Sequence, residues 1–127
     1  MTTYDAIEQF ATALPETVVS PSYRGSPTVK VNKKIVFRHA EEHDDRIDPA
    51  TGKRNGEVMM LRVPHLGDKE ALLQSEPAKF FTTAHYDGYP AVLVRLALLS
   101  FDEAQDLVLE SWYALAPQRA IKAYEAT

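Results

Sequence analysis

The sequence predicts a single α+β domain: an antiparallel sheet with helices packed mainly on one face, in the order α-β(3)-α-β(2)-α with a short terminal helix. Three observations predict it. Apolar residues recur at helical spacing near both ends of the chain and alternate with polar ones between them. No linker, repeat or low-complexity stretch divides residues 1–127. The helical and alternating segments also follow one another in an order that lets helices cover one sheet face.

The first helix is expected from about Thr3 to Leu14. Thr2 and Asp5 resemble a capping box with Asp in place of Glu, Ile7, Phe10, Ala11 and Leu14 form one stripe, and Pro15 ends it. Val29 and Val31 then alternate with Thr28 and Lys30, and Ile35 and Phe37 with Lys34 and Arg38, which reads as a hairpin. Directly opposed residues share a face. A three-residue loop, Asn32-Lys33-Lys34, would set Val31 opposite Ile35 and Val29 opposite Phe37, with both lysines at the tip. Val58 to Val63 forms the next strand, with Met59, Leu61 and Val63 on the core side and Val36, Val58 and Met60 outward.

Asp68 caps a short helix carrying Leu72 and Leu73, stopped by Pro77. Phe80 to Thr83 and Ala91 to Leu96 read as a second hairpin around the loop from Ala84 to Pro90. Ser100-Phe101-Asp102-Glu103 is a capping box, followed by Ala104, Leu107, Val108, Ser111, Trp112 and Leu115 on one stripe. Trp112 reads as a core residue with a partner for its N–H. Pro117 can open a final helical turn or two, with Ile121 and Tyr124 packing back.

Composition removes several function classes. With no cysteine there is no disulfide, thiolate metal site or cysteine nucleophile. The N-terminus lacks the basic and apolar regions of a secretory signal, and no apolar run approaches the ~20 residues of a membrane span, so a cytoplasmic protein is expected. A net charge of −4 gives no long-range pull toward nucleic acid, so such a contact needs a local patch. The sequence contains no nucleophile elbow, phosphate loop, dinucleotide fingerprint or zinc-protease helix, so neither a catalytic set nor a cofactor is expected.

Several segments together resemble the MmcQ/YjbR-like family. They are Ala13-Leu14-Pro15, Gly25-Ser26-Pro27 before a Val-x-Val strand, Lys34 with Phe37, and Glu76-Pro77-Ala78-Lys79-Phe80-Phe81. Tyr89-Pro90-Ala91-Val92-Leu93-Val94 and Trp112-Tyr113-Ala114-Leu115-Ala116-Pro117 complete the series, in order over nearly the whole chain. The resemblance implies a secretion-chaperone-like architecture, DNA binding through a double wing, and no general reaction. It departs from the family at the charged segment 39–57, which reads as an inserted loop.

Three constellations are candidate sites. Arg24, Lys30, Lys33, Lys34 and Arg38 form a basic run free of acidic residues, able to lie along phosphates as a wing; the plainer reading is a solvated sheet face. Acidic residues Glu41, Glu42, Asp44, Asp45 and Asp48 follow at once and oppose a duplex. His39 and His43 among those carboxylates have ligand chemistry for a divalent metal, but four-residue spacing helps only on a helix and this segment is rich in turn formers, so no metal is expected. His85, Tyr86 and Tyr89 with Arg95 offer a small-ligand or anion pocket, against the plainer reading of a loop packed over the sheet. The leading expectation is a non-enzymatic protein binding DNA through the basic hairpin. The alternatives are a protein-interaction or self-association module using its sheet, and a small-molecule site near His85 and Tyr89.

Overall fold

Residues 2–21, 27–40, 47–53 and 56–127 are described by the computed structural model. Helix α1 (Tyr4–Thr12) leads into β1 (Thr17–Pro21), β2 (Pro27–Val31), β3 (Lys34–His39) and β4 (Val58–Arg62). Then come α2 (Leu66–Ser75), β5 (Phe80–Phe81), β6 (Ala91–Arg95), α3 (Phe101–Leu115) and α4 (Gln118–Glu125), with 3-10 turns at Ala84–Tyr86 and Leu96–Leu98. The strands form one antiparallel sheet in the order β1-β2-β3-β4-β6-β5. The fold is therefore α+β.

Four strands, not three, separate α1 from α2. The additional one, β1, is a sheet edge, and its Val18 and Val19 are 56% and 42% exposed. With neither valine covered, the run lacks the in–out alternation that marks a strand in sequence.

Helix α1 starts one residue later than the Thr2 cap implies. Thr3 Oγ1 accepts from Ala6 N at 3.2 Å, while Thr2 is buried and its N–H bonds Leu99 O at 2.9 Å. In α3 the reciprocal cap forms as the sequence implies: Ser100 Oγ accepts from Glu103 N at 3.1 Å, and Glu103 Oε1 from Ser100 N at 3.2 Å. Asp68 accepts from His65 N at 3.0 Å and so closes the first turn of α2. The strand foreseen from Phe80 to Thr83 shortens to Phe80–Phe81.

The first hairpin differs from the three-residue loop. Val31 pairs with Lys34, so the turn is Asn32-Lys33, with φ of 54° and 64°. A two-residue turn with both residues left-handed suits the strand twist. The mixed faces that argued against it are relieved by a bulge: Lys30 pairs with Ile35 and Val29 with Phe37, leaving Val36 as the extra residue. Val36 and Phe37 therefore both reach the main core. Because a side chain in left-handed backbone costs about 1–2 kcal/mol and glycine about half that in entropy, Lys33→Gly should raise stability by about 0.5–1 kcal/mol. Denaturant unfolding checks this; a loss would show that Lys33 contributes contacts beyond the turn.

The main core lies between the sheet and the helices, around Ile7, Val29, Phe37, Leu61, Val94 and Trp112, all nearly inaccessible. Trp112 donates Nε1–H to Thr17 Oγ1 at 2.9 Å, tying α3 to the edge strand. A second, smaller cluster occupies the opposite face: Val58, Met60, Phe81, Tyr86, Ala91 and Leu93. Val36, Val58 and Met60 are thus buried, not outward. The bulge turns Val36 inward, and the turn at Ala84–Tyr86 folds over Met60 and Leu93. A sheet face presenting these three residues to a partner does not exist.

Helix α3 is also held by charge. Lys79 Nζ lies 2.6 Å from Glu103 Oε2 and 3.0 Å from Glu76 Oε1. The Lys79 bond holds the Glu103 carboxyl below its ordinary pKa, aided by Ser100. A carboxylate with a depressed folded-state pKa adds stability above its unfolded value, and this is lost as pH falls through the folded one. Stability should therefore drop below about pH 4.5 in the parent and more shallowly in Lys79→Met. Parallel acid limbs in the two proteins would show that the pair adds nothing.

Candidate anion-binding face

Charge is segregated by element. The six strands carry Lys30, Lys34, Arg38, Arg62 and Arg95 and no Asp or Glu, whereas α3 alone carries Asp102, Glu103, Asp106 and Glu110. Register then assigns faces. Lys30 pairs with Ile35, which packs on the second cluster, and Arg38 pairs with Met60 of that cluster. Arg62 follows Met60 by two residues on β4, so it shares the face with Arg38, one diagonal step or about 7–8 Å away. Lys30, Arg38 and Arg62 therefore stand on the face away from the helices.

The rest of the basic run does not join them as one cluster. Lys33 is exposed at the turn, and Lys34, opposite Val31, belongs by register to the helix-side face at the strand end, where it too is exposed. Arg24 lies outside the described residues. Arg38 is half-buried, donating to His39 O at 3.2 Å and to the Tyr86 hydroxyl.

The second candidate set divides as well. Tyr86 is buried and Tyr89 half-buried, their rings 6.4 Å apart, while His85 is exposed. Arg95 stands at the far end of β6 from Ala91. It stacks 4.3 Å from the Phe81 ring centroid, donates to Pro77 O and Ala78 O, and lies 3.5 Å from Asp48. The residue beside Tyr89 is instead Arg62, which donates Nη1–H to the phenol oxygen at 3.3 Å with its guanidinium carbon 5.0 Å from the ring centroid.

Lys69 fixes this arrangement. It is 4% exposed, and its Nζ donates to Tyr86 O at 2.7 Å and Tyr89 O at 3.0 Å, pinning the loop across the sheet. Burial lowers its pKa, with Asp87 and Glu70 opposing the shift. Neither Lys69 nor Arg62 stood out in the sequence. Lys69 reads as one more polar residue of a short helix, and the Arg62–Tyr89 contact spans 27 positions.

The opposite side of the molecule is acidic. A cavity of about 650 Å³ opens between α2 and α3, lined by Pro64, His65, Asp68, Asp106, Leu109, Glu110 and Tyr113. Its carboxylates repel a polyanion, which leaves the strand face as the favourable side. Among the described residues no group of three or more His, Asp or Glu could hold a metal ion, and no helix is long and apolar enough to cross a membrane. His43 with Glu41, Glu42, Asp44 and Asp45 lies outside the described residues; His39 belongs to β3, paired with Met59.

Fold and charge layout together define a small α+β domain with a basic, tyrosine-bearing sheet face and an acidic helical side. No family model matches the chain. Uncharacterized proteins of Mycobacterium bovis and of two Mycobacterium tuberculosis strains are each 43% identical to it over 72 residues, 57% of this chain and 56% of theirs. The chain thus spans about half the length of the curated relatives it matches.

Proposed function

We propose that the protein is a non-enzymatic binding protein that takes nucleic acid on the basic face of its sheet, along the β2–β3 hairpin. The observation that carries this reading is the absence of any carboxylate from the six strands, with Lys30, Arg38 and Arg62 on one face. Phosphate contacts are sequence-tolerant and need cations in a row rather than a pocket. The resemblance to the MmcQ/YjbR-like family supports the same reading and is part of the proposal. Fluorescence anisotropy with a labelled oligonucleotide tests it. Affinity should fall linearly with log salt, by about one log unit of slope per phosphate neutralised; no binding at low salt contradicts the reading.

A second reading, self-association, is favoured by β1. This edge strand is uncharged and exposes Val18 and Val19, an unguarded template for pairing with another strand. Light scattering should then give a mass that rises with concentration and returns to the monomer value in Val18→Lys. A monomer mass throughout contradicts it.

A further inference from the structure

Among the described arginines, Arg62 stands apart in what its guanidinium touches. Arg119 engages Glu16 through Nε and Nη2 at 2.8 and 2.6 Å; Arg95 has Asp48 and two carbonyls; Arg38 has a carbonyl and a phenol. Arg62 has the Tyr89 phenol through Nη1 and no carboxylate or carbonyl, and its Nε is buried without a partner. A guanidinium presents five N–H donors, so the Nε/Nη2 edge is left over. That is the edge which grips the two oxygens of Glu16 in Arg119, and the one suited to a bidentate oxyanion. A buried donor without an acceptor calls for an explanation, and a bound anion is one that fits its chemistry.

The surroundings support an anion. Tyr89 covers the guanidinium at 5.0 Å and fixes Nη1, so the fork is pre-oriented. Lys69 adds a buried ammonium whose bonds go to carbonyls. Asp87, the carboxylate of this loop, is exposed, and no ion pair joins it to Arg62.

We propose that Arg62 is a phosphate seat, its Nε/Nη2 edge gripping one phosphate group while Tyr89 holds the other side of the guanidinium. The proposal rests on the anion-binding reading of this face and extends it beyond the hairpin to β4 and the loop 84–89. The shared chemistry is a phosphate group, whether of a nucleic-acid backbone or of a small phosphate.

The test follows the Arg62 Nε–H resonance by NMR in the unmodified protein, titrated separately with inorganic phosphate and with a single-stranded DNA 12-mer. A saturating shift with either supports the seat. Phosphate acting while the 12-mer does not would keep the seat and remove the nucleic-acid reading. The reverse would assign the seat to the polymer. An Arg62 resonance unmoved by both would overturn the seat, and the nucleic-acid reading would survive if the 12-mer still shifted Lys33 and Lys34. In binding assays Arg62→Gln should reduce the salt slope by about 1, with Arg62→Lys keeping the slope but binding less tightly because the fork is lost. A slope unchanged in Arg62→Gln, with the native near-UV spectrum retained, also overturns it.

Discussion

Trp112→Ala should destabilise the protein by about 3–5 kcal/mol, the cost of removing a fully buried indole from a packed core. Trp112 is 0% exposed, and its ring stands in edge contact with Tyr113 and Tyr124 at 5.4 and 5.5 Å. The substitution also leaves Thr17 Oγ1 without its indole donor at the edge strand. Since a domain of this size is stable by only about 5–15 kcal/mol, the variant should be largely unfolded at modest denaturant. Trp112→Phe keeps most of the volume and loses the hydrogen bond, so it should cost distinctly less. Urea unfolding of the two variants checks the order; equal losses would mean that packing contributes little beyond the bond.

Reversing the hairpin tip with Lys33→Glu and Lys34→Glu should weaken nucleic-acid binding strongly and cut its salt slope by about 2, one unit for each lost phosphate contact. Both side chains are exposed, and neither has a printed fold role beyond the turn, so unfolding should change little. The two lysines belong by register to different surroundings: Lys33 at the turn, Lys34 opposite Val31. If phosphates run along the face of Lys30, Arg38 and Arg62, Lys33→Glu alone should carry most of the loss. Equal effects of the two single substitutions would place the ligand over the tip rather than along the face. Affinity unchanged in the double variant would remove the hairpin from the interface.

What the sequence disclosed depended on how local each determinant is. The α3 cap was legible because Ser100 and Glu103 complete each other within one turn, and the stripe through Trp112 continues at once. The paired strands were legible from alternation, but their turn was not. A bulge at Val36 allows a two-residue turn while keeping Val29 opposite Phe37, and nothing in the alternation marks the extra residue. Edge strand β1 escaped because exposure of both valines erases the pattern that burial writes into a central strand.

The site followed the same rule. The basic run was visible, but its division between faces follows from register, and Arg38 finds Tyr86 across 48 positions. Outward placement of Val58 and Met60 assumed a bare second face. The 84–86 turn covers it, held there by a lysine 17 and 20 residues away. Arg62 was indistinguishable from any strand-end cation until Tyr89 was seen against it.

Mapping backbone amide shifts during titration with an oligonucleotide at low salt tests the placement of the ligand most directly. The largest changes should fall at Lys30, Lys33, Arg38 and Arg62, with α3 and the acidic cavity beside it silent. Changes centred on Asp106 and Glu110, or none at saturating ligand, would contradict binding on the strand face.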